Sequence, residues 1–143
     1  MIGSFYMTPE ILARIATARA ARDLSDLARL LLADTVTTTS PTERIEKARR
    51  LRQVANEVVD LVVLAEALEG ASWEEIAEAL GRRDPGTVER EFAEDVAEWS
   101  SKSEKELERA AEGHAALDEW YGRHREDQDP ELSTPVADLL NRH

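Results

Sequence analysis

The sequence predicts an all-α protein, a helical bundle of about five to six helices that forms one domain over residues 1–143. Apolar residues recur at spacings of three and four along most of the chain, and no segment alternates as a strand does. The composition is 42% hydrophobic and 34% charged with only 6 Gly and 5 Pro, which is typical of helices with one wet face. Capping residues also precede several of the periodic segments.

The N-terminal helices are predicted over residues 8–33. Thr8 and Pro9 form a helix start, because the hydroxyl can cap free backbone N–H groups and proline is tolerated at the first position. A break is possible between Asp23 and Ser25. Residues 34–42 are rich in Thr and Ser and contain a proline, so they are predicted to be a loop.

A long helix is predicted over residues 43–69, starting from a Thr42 cap. Its far half, Val58 to Leu68, is apolar nearly all round. Such a helix lies at the centre of a bundle, or part of it faces another subunit. A possible homodimer through this long apolar helix therefore stays open beside a buried position in the core.

Residues 72–99 are predicted to hold two helices joined by a turn. Gly70 ends the long helix, and Ser72 with Glu75 forms a capping box for a short helix that stops at Gly81. Asp84 and Pro85 begin the next helix. Its apolar positions follow at spacings of four, four and three: Val88, Phe92, Val96 and Trp99.

The C-terminal helices are predicted over residues 103–143. Ser103 and Glu106 form a second capping box, for a helix that continues to about Arg125. Thr134 and Pro135 are expected to cap a last short helix.

The run from Gly70 to Phe92 resembles the helix-turn-helix of many bacterial regulators and transposases, which have the pattern Ile-Ala-x-x-Leu-Gly in the first helix and an early Val in the second. The resemblance implies a DNA-binding transcription regulator. It also implies the core positions Ile76, Ala77, Leu80, Val88 and Phe92, with Gly81 at the turn. The turn at residues 82–86 is one residue longer than the family's usual turn.

The charge distribution bears on that implied DNA binding. The net charge is −12, and residues 72–99 carry 3 basic and 9 acidic side chains. Affinity for DNA comes mainly from Lys and Arg that neutralise phosphates, so bases outside the second helix are required. The hypothetical DNA-contacting residues are Arg82, Arg83, Thr87, Glu89 and Arg90 in the motif and Arg44, Lys47, Arg49, Arg50 and Arg52 in the long helix.

Two functions remain open. In the first, the chain is a small DNA-binding regulator, and the two groups of bases share one face. In the second, the chain is an acidic helical adaptor that docks a basic partner protein, and its arginines neutralise its own carboxylates. No serine elbow or glycine-rich phosphate loop is found, so the chain is expected not to be an enzyme and to need no cofactor.

Metal binding and location are the remaining questions. Acidic pairs such as Glu66 with Glu69 loosely resemble those of helical nucleotide pyrophosphohydrolases, and His114 with Asp118 shares one helical face. Among 30 acidic residues such pairs arise by chance, and a single histidine on an apolar stripe is usually part of the core. No metal is therefore expected. With no cysteine, no signal-peptide pattern and no long apolar run, the chain is expected to be cytoplasmic and free of the membrane.

Overall fold

The computed structural model describes residues 7–37 and 39–141. It is all-helical over these residues, which confirms the predicted fold class. The seven helices are α1 (Pro9–Asp34), α2 (Pro41–Glu69), α3 (Trp73–Ala79), α4 (Pro85–Ser100), α5 (Glu104–Ala110), α6 (His114–His124) and α7 (Pro135–Leu140).

The first two helices form an antiparallel hairpin. The break expected between Asp23 and Ser25 is wrong, because α1 is continuous from Pro9 to Asp34. The second helix begins at Pro41, with Ser40 rather than Thr42 as its N-cap; the Ser40 hydroxyl accepts a hydrogen bond from the Glu43 amide at 3.1 Å. Since proline is favoured at the first helical position, Pro41 moves the start two residues ahead of the predicted one.

Ion pairs join both ends of this hairpin. At one end the Arg14 guanidinium of α1 contacts Glu10 on its own helix and Glu66 and Glu69 on α2, and Glu10 is the largest of the influences that raise the Arg14 pKa. At the other end Lys47 Nζ lies 2.8 Å from Asp34 Oδ2, and the Asp34 carboxylate is buried. The predicted loop 34–42 therefore shrinks by three residues, because Asp34 belongs to α1 and residues 41 and 42 belong to α2.

The predicted C-terminal helix over residues 103–125 is wrong as one element. It is divided into α5 and α6 at Gly113, whose φ of +87° lies in the left-handed region. The Arg19 guanidinium of α1 donates to the carbonyl oxygens of Ala110 and Glu112 at 2.8 and 2.6 Å. Carbonyl groups at the end of a helix lack partners within that helix. A distant arginine therefore supplies the hydrogen bonds that these carbonyls need where α5 ends.

The start of the last helix also differs from the prediction. Pro135 takes the first position as expected, but the Thr134 hydroxyl makes no capping bond. Instead the buried Asp118 carboxylate of α6 accepts hydrogen bonds from the Val136 and Ala137 amides at 2.7 and 3.0 Å. Asp118 is thus a structural cap from another helix.

The apolar core has two main centres and a smaller bridging group. One centre joins α1, α5, α6 and α7 around Ile15, Leu107 and Leu117, and the other joins α2, α3 and α4 around Val63, Val88 and others. A small group on α1 and α2 lies between them, and Trp99 of α4 packs against both this group and the first centre.

Candidate nucleic-acid interface

The helix-turn-helix-like segment is the outer part of a three-helix unit. The far half of α2 supplies the first helix, and α3 and α4 follow it. Their shared core is Val63, Ile76, Ala77, Val88 and Phe92, with Val88 fully buried and Ala77 only 2% exposed. The small Ala77 side chain allows the helices to approach closely. Sequence reasoning assigned two of these helices; the all-round apolar character of Val58 to Leu68 was the signal for the third.

The turn between α3 and α4 is exposed and tightly bonded. Gly81 has φ +71°, and its amide donates to the Glu78 carbonyl at 3.0 Å. The Arg82 amide donates to the Ala77 carbonyl at 2.8 Å, so the last carbonyls of α3 have partners. This arrangement presents Arg82 and Arg83 to solvent at the corner of the unit.

Asp84 caps the start of α4. Its carboxylate accepts hydrogen bonds from the Thr87 hydroxyl at 2.6 Å and the Gly86 amide at 3.0 Å. The Thr87 hydroxyl, and then the Gly86 amide, lower the Asp84 pKa. Because Arg90 Nη2 also donates to the Thr87 hydroxyl at 3.2 Å, Thr87 is held within the turn by two neighbours.

Most of the predicted contact residues of the motif lie on its surface. Arg82, Arg83, Glu89 and Arg90 are exposed, whereas Thr87 is half-buried. Arg82 pairs with Glu91 of α4, while Arg83 has no ion-pair partner among the residues that the structure describes. Arg83 is therefore the turn cation whose charge is least compensated.

The basic run of α2 lies apart from the turn within one chain. Arg44 donates to the Thr39 carbonyl at 2.6 Å, and Lys47 pairs with Asp34. Three further arginines of the run are exposed and have no ion-pair partner within residues 7–37 and 39–141: Arg49, Arg50 and Arg52. No hydrogen bond or ion pair joins the run to Arg82 or Arg83 in this described part.

Acidic side chains lie close together where α4 packs against α2. Asp60 of α2 lies near Glu91 and Asp95 of α4, and partial burial followed by these two carboxylates raises the Asp60 pKa. Along α2, Arg52 precedes Asp60 by eight residues, or about 12 Å at the helical rise. Sequence reasoning identified the acidic side chains of α4 but missed that Asp60 of α2 lies near them, and only the packing of α4 against α2 reveals this.

The exposed side of α4 is acidic overall. Residues 85–100 carry one basic side chain and five acidic ones, a net charge of −4. At the start of α4 the Asp84 carboxylate already accepts hydrogen bonds from the first-turn amides, so only the nearby arginines favour anions there. The carboxylates further along α4 repel phosphate. The geometry can therefore place only the turn and the start of α4 close to a phosphate backbone.

An apolar groove adjoins the three-helix unit. It has a volume of about 320 Å³ and is lined mainly by α2 and α3 side chains: Val58, Val59, Val62, Val63, Glu66, Ile76, Ala79 and Leu80. Among these residues Val59 is 48% exposed and Val62 is 43% exposed. The far half of α2 is thus partly core and partly open surface.

No metal cluster is found among the described residues. There, no three His, Asp or Glu side chains are close enough to hold an ion. Asp118 is occupied as the cap of α7, and Glu75 bonds the Ser72 amide at 3.2 Å. Within the same residues no helix is long and apolar enough to cross a bilayer.

Comparison with known proteins adds no relative. No family model matches the chain, no curated protein matches its sequence, and no solved structure matches its fold.

Proposed function

We propose that the chain is a small helix-turn-helix DNA-binding protein that approaches the duplex with the α3–α4 turn. The observation that carries this proposal is the three-helix unit, which packs Val88 and Ala77 inside and leaves Arg82 and Arg83 exposed at its corner. In helix-turn-helix proteins the start of the second helix enters the major groove. Here that start is α4 from Pro85, beside the turn arginines.

The contacts expected from this geometry are few. Arg83 and Arg82 meet phosphates beside the groove, while Thr87 and Arg90 lie nearest the base edges. Glu89 can accept a hydrogen bond from a cytosine amino group. With so few cations, the affinity of one chain for DNA should be low and strongly dependent on salt.

The test is to titrate the protein into a labelled random-sequence DNA duplex and to measure binding by fluorescence anisotropy. The salt concentration is about 50 mM, because contacts to phosphate are strong at low salt. The double variant Arg82→Ala/Arg83→Ala should lose most of the binding, and the slope of log K against log salt should fall by up to about 2. The double variant Lys105→Ala/Arg109→Ala removes the same charge from exposed positions of α5 and should bind as the wild type does. Absence of binding at low salt, or equal loss in both variants, would contradict the proposal.

A second candidate function is supported by the acidic face around Asp60, Glu91 and Asp95. Partial burial, and then the carboxylates of Glu91 and Asp95, raise the pKa of Asp60. Carboxylates this close together form a concentrated negative field, which suits a basic partner protein better than a nucleic acid. On this candidate the helix-turn-helix unit is a scaffold, and α4 is a docking surface.

A short polylysine peptide serves as the basic probe for this second candidate. The variant Asp60→Asn/Glu91→Gln/Asp95→Asn should weaken binding more than Glu104→Gln/Glu108→Gln/Glu112→Gln, which removes three exposed charges from the region of α5. Equal weakening would show general attraction to an acidic protein and would exclude a docking face on α4.

A further inference from the structure

One side of α2 carries an exposed seam that is apolar except at Arg52. Its members follow at spacings of three and four, the pattern by which a helix meets another helix in a coiled coil: Ile45, Ala48, Arg52, Ala55, Val59 and Val62. Ile45 is 61% exposed, and Val59 and Val62 are 48% and 43% exposed. The opposite side of α2 packs on α1 and contains the fully buried Val54. The seam is therefore additional to the faces that build the fold.

The two halves of α2 have opposite charges. Residues 41–53 carry five basic and two acidic side chains, a balance of +3, whereas residues 54–69 carry four acidic and no basic ones, a balance of −4. A second copy of α2 that runs antiparallel places each positive half beside a negative half. A parallel copy would place like charges together along the whole contact.

We propose that the chain forms an antiparallel homodimer through the α2 seam. In the symmetric register, Ile45 of one copy lies opposite Val62 of the other, Ala48 opposite Val59, and Arg52 opposite Ala55. Ile45 then enters the groove that Val62 forms with Ile76 and Leu80. The contact is isologous, because the same residues serve both copies.

The small size of the seam favours a weak dimer. From Ile45 to Val62 it runs about 26 Å along the helix, and a strip one helix wide buries on the order of 1,000 Å² over both copies. That area is near the lower limit for a specific protein interface. Association is therefore expected in the micromolar range.

The dimer does not depend on DNA binding, but it has a consequence for it. Because the groove adjoins α3, the basic half of one α2 lies next to the helix-turn-helix unit of the other copy. Arg49, four residues from Ile45 and therefore on the flank of the seam, is the exposed arginine of the run that lies nearest to that unit, which it does not contact within its own chain.

Sedimentation equilibrium from about 1 to 200 µM tests the proposal. The wild type should be a reversible dimer, and Ile45→Glu should raise the dissociation constant on the order of 100-fold, because the change occurs twice in each dimer. The matched control is Leu32→Glu on α1, where the leucine is 71% exposed and lies off the seam. A monomeric wild type, or equal weakening by both variants, would overturn the proposal.

Cysteine cross-linking tests the orientation, since the chain has no native cysteine. An equimolar mixture of Ala48→Cys and Val59→Cys chains should form mixed disulfide dimers under mild oxidation, whereas Ala48→Cys alone should not, because its two copies are about 17 Å apart along the axis. A disulfide between two Ala48→Cys chains would indicate a parallel pair and would overturn the antiparallel arrangement.

Discussion

Asp34 and Asp118 are buried carboxylates of α1 and α6, and each has a specific partner. Asp34 pairs with Lys47, and Asp118 accepts two amides at the start of α7. Burial of a charged group is tolerated only when its hydrogen bonds are satisfied. Asp34 therefore fixes the end of α1 against α2, and Asp118 fixes the start of α7 against α6.

Removal of the Asp118 carboxylate should destabilise the protein. The variant Asp118→Ala leaves the Val136 and Ala137 amides without partners, at a cost of about 2–3 kcal/mol in the free energy of unfolding. Urea denaturation followed by circular dichroism measures this. Asp138→Ala on α7 removes an exposed carboxylate and should change the free energy by less than about 0.5 kcal/mol; equal effects would argue against the cap.

Two glycines with open surroundings should respond oppositely to alanine. Gly81 has φ +71°, so Gly81→Ala should destabilise by about 1–2 kcal/mol although no atom blocks the new Cβ. Gly122 lies within α6 at ordinary helical angles, so Gly122→Ala should stabilise by about 0.5–1 kcal/mol. Thermal unfolding of the pair gives the comparison, and a shared sign would contradict the role of Gly81 in the turn.

At the scale of elements, α2 has three separate tasks. It pairs with α1 along one face, supplies the first helix of the three-helix unit at Val63, and leaves the Ile45 to Val62 seam open. Its contact with α4 also brings Asp60 towards Glu91 and Asp95. That contact is electrostatically unfavourable when all three carboxyl groups are charged.

The pH dependence of Asp60→Asn tests this contact. The folded-state pKa of Asp60 lies above its ordinary value of 3.8, so the native state binds more protons and loses stability as pH rises through that interval. Asp60→Asn should therefore raise the urea midpoint at neutral pH and lose its advantage at about pH 3, where the carboxyl is protonated in both states. Glu46→Gln, which removes a charge from the basic half of α2, should not raise the midpoint at neutral pH.

At the scale of the whole molecule, Trp99 links the packing centres. It contacts the group of α1 and α2 and the centre formed by α1, α5, α6 and α7, and Lys102 Nζ lies 5.5 Å from its ring centroid. A large aromatic side chain at such a position contributes to the first centre and to the bridging group at once, and its helix, α4, also supplies Val88 and Phe92 to the second centre. Cooperative unfolding of the chain should depend on it.

The variant Trp99→Ala should lower the free energy of unfolding by about 2–3 kcal/mol and separate the two centres. The fluorescence of Trp73 reports on the centre formed by α2, α3 and α4, and that of Trp120 reports on the region where α6 meets α1. Fluorescence and circular dichroism should give coincident urea transitions in the wild type and separate ones in the variant. Leu132→Ala, at a side chain 45% exposed, should retain coincident transitions.

Local patterns were sufficient for much of the fold. The Thr8, Ser72 and Ser103 caps, the Gly70 stop and the stripe of α4 all lie where the sequence places them. Each depends on residues within one turn of helix, so nearby chemistry decides them. The predictions were wrong where a residue distant in sequence decides the structure. Arg19 donates to a carbonyl beside the break at Gly113, and Asp118 rather than Thr134 caps α7.

By itself the sequence determined the helical class, the capped starts of most helices and the pair of helices around Gly81. The tertiary structure alone decided that α2 completes the three-helix unit, that Asp60 lies beside α4 carboxylates, and that the seam from Ile45 to Val62 stays uncovered. The reason is physical: hydrophobic periodicity identifies the apolar sides of a helix, but the helices that pack on it determine which of those sides is buried.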